Sequence, residues 1–467
     1  MQLYNTLTRA VEKVVPLKPD VLTFYTCGPT VYDQTHIGHM RTFVGNDVLR
    51  RTLEYLRFNV KHVMNITDVG HLTSDEDAGE DKVEKGAIKS GKTVWELTNY
   101  YTDIFFNTMK QLNVLEPAVV CKATDHVQDM IDLIKILEEK GITYVTEEAV
   151  YFDVTKFSDY GRLSRQDLLE KQKGVRPEVV VDPNKKNPAD FALWFKRQGR
   201  FANHTMHWDS PWGDGFPGWH IECSAMSMKY LGPTIDIHTG GVDHIPVHHE
   251  NEIAQSEAAT GKQFVRLWLH HNHLHVDGEK MSKSKENFYT MEDVIAHGID
   301  PKSLRLLFLQ THYRQPMNFT WNAAKGAHET YKRLKEYIMA FRKQNSRTMM
   351  TEDKLSMIDH YQLKFRLALE NDLQTPQALA IMWDLVKSNV TSEDKLDQLY
   401  EFDRILGLGL REMTADVIPD EIKALAKQRQ QKRAQKEYEA ADVIRQDIEH
   451  KGYIVEDVGS SFKLKKK

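Results

Sequence analysis

Residues 238–259, HTGGVDHIPVHHENEIAQSEAA, hold four histidines, and His248 and Glu252 stand four apart within them. On a helix that spacing puts both side chains on one face, so a ring nitrogen and a carboxylate oxygen can converge on one cation. His249 lies about 100° further round the same helix. With Glu250 it is expected to be structural, pointing off the metal face. Two thiols, Cys27 and Cys223, stand far away in sequence. Together the four side chains offer the S, S, N, O set that zinc accepts tetrahedrally. The spacing is not that of a zinc finger or ribbon, and a buried free cysteine is also an ordinary small core residue. Spacing therefore leaves both readings open.

Two further motifs suit phosphate chemistry. HIGH, His36–His39, falls where a loop turns into a helix. A helix start offers free N–H groups and a positive dipole end, Gly38 permits close approach, and His36 and His39 can hydrogen-bond phosphate oxygens. KMSKS, residues 280–284, places Lys280 and Lys283 three apart in a loop after Asp277-Gly278. Such a loop can clamp a departing pyrophosphate; an exposed basic loop is the plain alternative.

These groups need elements to hold them. VLTFYTCGPTVYD (21–33) reads as a strand entering a loop, GHMRTFVGNDVLRRTLEYLRF (38–58) as a helix, and NVKHVMNITDVG (59–70) as a second strand. Strand, helix, strand over that length is a βαβ unit and implies a doubly wound parallel sheet, with ligands at the carboxyl ends of its strands. Cys27 and Thr67 fall at that edge. PTIDIHTGG (233–241) and FVRLWLHHNHLHV (264–276) read as further strands. QTPQALA predicts a helix with Thr375 as N-cap and Pro376 first. EIKALAKQRQQKRAQKEYEAADVIRQDIEHKG predicts one long charged helix, followed by a short β-like tail.

At 467 residues with 41% apolar content the chain has room for several domains, and its net charge of −5 offers no global attraction to nucleic acid. Three cysteines make no disulfide framework and suit a reducing cytoplasm. No run approaches the length needed to cross a bilayer, and the first residues lack a signal-peptide segment.

HIGH and KMSKS, in this order on a split parallel sheet, resemble the class I aminoacyl-tRNA synthetases. SPWGDGFPGWHIECSAM (210–226), YTCGPTVYD and HHENEIAQSEA, with YGRLSRQD (160–167), DFALWF (190–195), THYRQPMNF (311–319) and NDLQTPQALA (371–380), are similar to the cysteinyl-tRNA synthetase family over nearly the whole chain. The resemblance implies an α/β fold. A Rossmann-type catalytic domain (1–115 and 205–290) would be split by a connective insertion (116–204). A linker region (291–330), a helical-bundle anticodon-binding domain (331–415) and a small α+β tail (416–467) would follow. It implies ATP-dependent joining of L-cysteine to cysteine tRNA through an adenylate, with Mg2+ accompanying ATP. By it, Cys27, Cys223, His248 and Glu252 would bind one zinc ion that receives the substrate thiolate. Thr67 and Trp219 would line the amino-acid pocket. Gly38, Gly240, Gly241, Asp243 and Lys283 would meet ATP, while His36, His39, Lys280 and Lys283 would stabilise phosphate charge. A cytoplasmic monomer acting without a membrane is expected.

The chain departs from the family's common pattern at four places, one of them HIPVHHE (244–250), which lacks the usual proline directly before the histidines but keeps the spacing to Asp243. KMSKSKENF carries Lys285 and Glu286 where an apolar residue and glycine are usual, and Phe216 stands where arginine is frequent. The acidic segment after Thr67 (74–84) is a variant, expected to be solvated surface. Two competing readings are a ligase joining cysteine to an amino-sugar and a non-catalytic RNA-binding paralogue. The C-terminal region, with Lys427, Arg429, Lys432, Arg433 and Arg445, argues against the first, and retention of both phosphate motifs against the second.

Overall fold

The computed structural model describes every residue except 71, 73–80, 166–181, 283–284, 345–350, 416–417, 460 and 467. Lys283 and most of the acidic segment lie outside the described residues. Five parallel strands form the central sheet in the order Val265–His271, Ile235–Gly241, Leu22–Thr26, Val60–Ile66, Val119–Lys122. In chain order this is 5-4-1-2-3, the doubly wound arrangement. Its direction of winding reverses between Leu22–Thr26 and Ile235–Gly241, and the crevice beyond the carboxyl ends there is where such sheets take ligands. The register of those two strands is pinned at their far ends. Asp236 accepts from the Thr23 N–H (2.8 Å) and hydroxyl (2.7 Å), and its own N–H returns a bond to Thr23 (2.9 Å).

The sheet takes in Val119–Lys122, within the span assigned above to the insertion. What interrupts the sheet is a second, antiparallel one: Thr143–Val145, Ala149–Phe152, Phe191–Lys196 and Gly215–Pro217. Phe216 is buried and stacks on the His204 ring (3.8 Å, 9°), beside Phe195 and Phe201. His204 in turn meets Asp81 (3.0 Å), which is buried and caps the helix Lys82–Ser90. Asp81 is thus structural, against the expectation of solvated surface.

Other local expectations are corrected. The 264–276 run is two strands, Val265–His271 in the central sheet and Leu274–Val276 in a small sheet with Glu279–Lys280 and Met317–Phe319. The N-cap before Thr375–Lys387 is Gln374, with Thr375 the first helical residue. The long C-terminal helix is two, Asp420–Ala434 and Tyr438–His450, separated by Lys436 at φ 66°. They pack with the hairpin Tyr453–Val458/Ser461–Lys466 around Ile422, Ala426, Ile448 and Val455. Arg429 is buried and bonds both oxygens of Asp457 (2.7 and 3.0 Å), so it serves this small core.

The helix Ile37–Tyr55 carries HIGH at its start and packs against both sheet and bundle. Its buried Met40, Phe43, Val44 and Val48 repeat at helical spacing. From its middle, the fully buried pair Asp47–Arg305 (2.5 Å) ties it to the helix Pro301–Leu309. The guanidinium also bonds the carbonyls of Leu406 (2.6 Å), Leu112 (3.0 Å) and Asn113 (3.1 Å). Gly407 (φ 65°) ends the helix Ser392–Leu406, and a Cβ there would lie 2.5 Å from Arg305 Nη2.

Arg305→Ala should therefore cost about 3–5 kcal/mol, because it leaves a buried carboxylate and several carbonyls unpaired. Urea unfolding followed by fluorescence measures this, and a loss under about 1 kcal/mol would contradict it.

Two buried histidines predict the acid response. Burial pushes His62 and His271 down to about 3, aided by nearby Arg50 and Arg41 respectively. Below pH of about 6.5 the unfolded chain takes up protons that these folded imidazoles refuse. Each should withdraw about 1.4 kcal/mol per pH unit as pH falls from about 6.5 toward their folded values. His62→Phe, which can keep the stacking on Phe24 (4.3 Å), should flatten the fall in stability between pH 6.5 and 4 by about that slope. An unchanged slope would remove His62 from the account.

Candidate metal centre and nucleotide cavity

The sheet's switch point brings the distant cysteines together. Cys27 follows the strand Leu22–Thr26, Cys223 lies in the first turns of the helix Trp219–Leu231, and His248 and Glu252 share a face of His248–Thr260. All four are buried, with their ligand atoms within 4.8 Å of one another. The Cys27 and Cys223 sulfurs are 3.8 Å apart, Cys27 Sγ is 3.6 Å from Glu252 Oε1, and His248 Nε2 is 3.0 Å from the same oxygen. A tetrahedral ion held at about 2.3 Å by sulfur and about 2.1 Å by oxygen has S···S and S···O edges of about 3.8 and 3.6 Å. The donors present fit such an ion.

The electrostatics agree. Burial would raise the Glu252 carboxyl, but His238 and His248 outweigh it and hold the group below the usual carboxylate range. Burial would lower His248, but Glu252 and Cys223 reverse this and raise it to about 10. Burial also opposes ionisation of Cys223, but the hydrogen bond from Cys27 and the neighbouring His248 lower it; Cys27 itself is pushed up, chiefly by burial. The cluster thus gathers negative charge around a proton on His248, the position a metal cation would relieve.

His249 does not point away. Its Nε2 is 3.4 Å from Cys27 Sγ and 3.8 Å from Glu252 Oε1. With His238, whose Nε2 holds Glu252 Oε2 at 3.0 Å, it forms an alternative tetrad of Cys27, His238, His249 and Glu252. The sequence signal for His238 was present, an imidazole just before Gly240-Gly241 on the strand facing this helix. Glu250 is structural as expected: it accepts from the N–H groups of Gly161 (2.9 Å), Leu163 (3.0 Å) and Ser164 (2.8 Å). That clamps the YGRLS turn of the insertion onto the helix His248–Thr260.

Beyond the cluster a cavity opens, lined by Cys27, Thr67, Trp219, Cys223, Gly240, Gly241, Asp243 and His248, and on its far side by His36 and His39. The Trp219 ring lies 4.2 Å from that of His248. The Asp243 side chain is 57% exposed, open to a ligand. Gly240 has a packing reason as well, since a Cβ there would meet His249 at 2.6 Å. At HIGH the structure corrects the expectation of free helix N–H groups. His36 Nδ1 itself accepts from Gly38 N (3.0 Å) and His39 N (3.3 Å). That leaves Nε2 as the ring's donor. Burial, with His39 adjacent, lowers His36 to about 2, so the ring is neutral. The two imidazoles stack at 3.7 Å.

Lys280 is exposed at the edge of Glu279–Lys280 and is not among the residues that line the cavity. Its neighbour Met281 does reach HIGH: a Cβ on Gly38 would be 2.9 Å from Met281 Cε. No helix among the described residues is long and apolar enough to cross a membrane.

Residues 13–329 match the family model described as tRNA synthetases class I (C) catalytic domain. The chain is 43% identical to the cysteine--tRNA ligase of Treponema denticola, covering 100% of this chain and 99% of that protein. It is 42% identical to cysteine--tRNA ligase 1 of Burkholderia lata, over 99% and 96%. Among solved structures, Mycobacterium tuberculosis methionyl-tRNA synthetase with methionyl-adenylate superposes with a TM-score of 0.56 at 16% identity, over 83% of this chain and 90% of that one. An Agrobacterium radiobacter LeuRS–tRNA complex gives 0.62 at 11%, over 86% of each, and these two establish the fold alone. With the switch-point cavity in place and His36 and His39 of HIGH on its wall, the chain belongs to the cysteinyl-tRNA synthetase family of class I tRNA synthetases.

Proposed function

We propose that this protein joins L-cysteine to cysteine tRNA at the expense of ATP, with zinc held by Cys27, Cys223, His248 and Glu252. The observation that carries the zinc assignment is the buried S, S, N, O set, whose S···S and S···O separations match tetrahedral edges, opening onto the switch-point cavity. Zinc supplies, when bound, a preference for a soft, easily deprotonated thiol over a hydroxyl. Cysteine and serine differ by one atom, and a pocket of shape alone separates such near-isosteres poorly.

The chain's own residues do the rest. Trp219 and Thr67 border the amino acid, while Gly240, Gly241 and Asp243 face the adenosine of Mg-ATP. The cysteine carboxylate then attacks the α-phosphate in line. His36, neutral with its Nδ1 engaged by the backbone, presents an Nε2 donor to the phosphates, and stacked His39 lies beside it. Donors fixed before the reaction need no reorganisation as charge grows, so catalysis here is positioning and electrostatics. Lys280 and Lys283 act on pyrophosphate from the KMSKS loop. Lys280 stands outside the cavity wall in this structure, so that role requires the loop to close. The bundle and C-terminal unit carry the tRNA, with Lys427, Lys432, Arg433 and Arg445 as surface cations and Arg429 excluded by burial.

Cysteine-dependent exchange of pyrophosphate into ATP, followed by charging of cysteine tRNA, is expected. Absence of exchange would refute the activity, and exchange without charging would favour a small-molecule ligase. Cys223→Ser should lower zinc content and cysteine activation together. Full zinc stoichiometry in that variant would remove Cys223 from the site.

A further inference from the structure

Behind the cavity wall runs a chain of buried hydrogen bonds that the zinc set does not use. Gly28 N–H donates to Asn65 Oδ1 (2.8 Å), Asn65 Nδ2 donates to Thr67 Oγ1 (3.0 Å), and the Thr67 hydroxyl donates to Glu222 Oε2 (2.9 Å). Asn65 and Thr67 are each 1% exposed and line the cavity; Glu222 is 0% exposed and is not among its lining residues. The Thr67 backbone is fixed as well, by its N–H to Pro29 O (3.1 Å) and its carbonyl to Val31 N–H (3.2 Å). The nearby carboxylate Asp68 is engaged elsewhere, by the N–H and hydroxyl of Thr124 (2.9 and 2.8 Å).

The logic follows from what a hydroxyl can do. It has one proton to give and two lone pairs with which to accept. The Gly28 bond orients the Asn65 amide so that its NH2 fills one Thr67 lone pair, and Glu222 takes the proton. What remains for the cavity is one lone pair, and a lone pair selects a donor. The substrate group with N–H bonds to give is the α-ammonium. Among the described residues, Glu222 Oε1 has no hydrogen-bond partner. Burying a carboxyl with one oxygen unsatisfied is costly, and a purely structural role is better filled by an apolar side chain.

We propose that Glu222 is a positioning residue that makes Thr67 a fixed acceptor for the α-ammonium of the amino-acid substrate. This rests on the cysteine-activating reading above and specifies how the rest of the amino acid is read once its sulfur is held.

The test compares cysteine with 3-mercaptopropionate, which keeps thiol and carboxylate but lacks the ammonium. In Glu222→Ala, the KM for cysteine in pyrophosphate exchange should rise about tenfold or more, the loss of one charge-assisted hydrogen bond. The inhibition constant of 3-mercaptopropionate, the KM for ATP and the zinc content should stay at wild-type values. Thr67→Val should show the same selective loss, and the double variant should be no worse than Thr67→Val alone, since Glu222 acts only through that hydroxyl. Glu222→Gln, which retains an acceptor oxygen and the volume, should recover most of the affinity. A parallel weakening of 3-mercaptopropionate, additive losses in the double variant, or an unchanged cysteine KM would each overturn the assignment. Where Glu222→Ala fails to fold, Thr67→Val decides: equal losses for both ligands refute the acceptor role. A wild-type chain without cysteine-dependent exchange overturns the activity reading and this assignment with it, whereas failure of the variants alone leaves the activity standing.

Discussion

A carboxylate shut away from water governs the architecture of this site. Glu252 is fully buried, flanked by His238 and His248 at 3.0 Å each and by two thiols. A buried charge persists only where partners replace its lost hydration. Every neighbouring element therefore contributes one: His238 from the strand Ile235–Gly241, His248 from the same helix, Cys27 from the end of Leu22–Thr26. Those elements meet only because the sheet reverses its winding between these two strands, and the Asp236–Thr23 bonds fix their register. The insertion is bound into the same frame by Glu250, next door in sequence but facing the YGRLS turn.

The same switch point divides the labour of the cavity. Its deep end is soft and anionic, suited to a metal and through it to sulfur. Its outer end is lined by neutral imidazoles, a carboxylate and glycine backbone, suited to a nucleotide. The helix that begins at His36 carries this outer end. Arg41 on it bonds four carbonyls, those of Asn272, His273, His312 and Gln315, and Asp47–Arg305 fastens it to the bundle. The helix that presents HIGH and the bundle are thus joined through buried bonds, so a displacement of the bundle bears directly on that helix.

Much of this was legible in the residues. The βαβ pattern announced the parallel sheet, and the i, i+4 spacing of His248 and Glu252 announced a shared face. Pairing them with Cys27 and Cys223 needed family resemblance, because contact across about 200 residues leaves no local trace. His249 is the blind spot of that four-residue spacing. Measured from His248 it lies about 100° round, but it stands three before Glu252 and so only about 60° from that carboxylate, on the flank that meets His238 and Cys27. The break at Lys436 carried no glycine or proline, so a continuous charged pattern read as one helix. Arg429 reads in sequence as one more cation of a basic stretch with Lys427, Lys432 and Arg433, because its partner Asp457 comes only from the following hairpin. The edge strand Val119–Lys122 is four residues long, too short for periodicity to separate from a loop.

The central claim is that a metal at Cys27, Cys223, His248 and Glu252 recognises sulfur directly. X-ray absorption at the zinc edge tests it most plainly on the zinc-loaded protein. The account predicts two sulfur neighbours in the free protein, three after addition of cysteine, and two after addition of serine at the same concentration. A sulfur count that does not rise with cysteine, in protein that still activates it, would contradict the account.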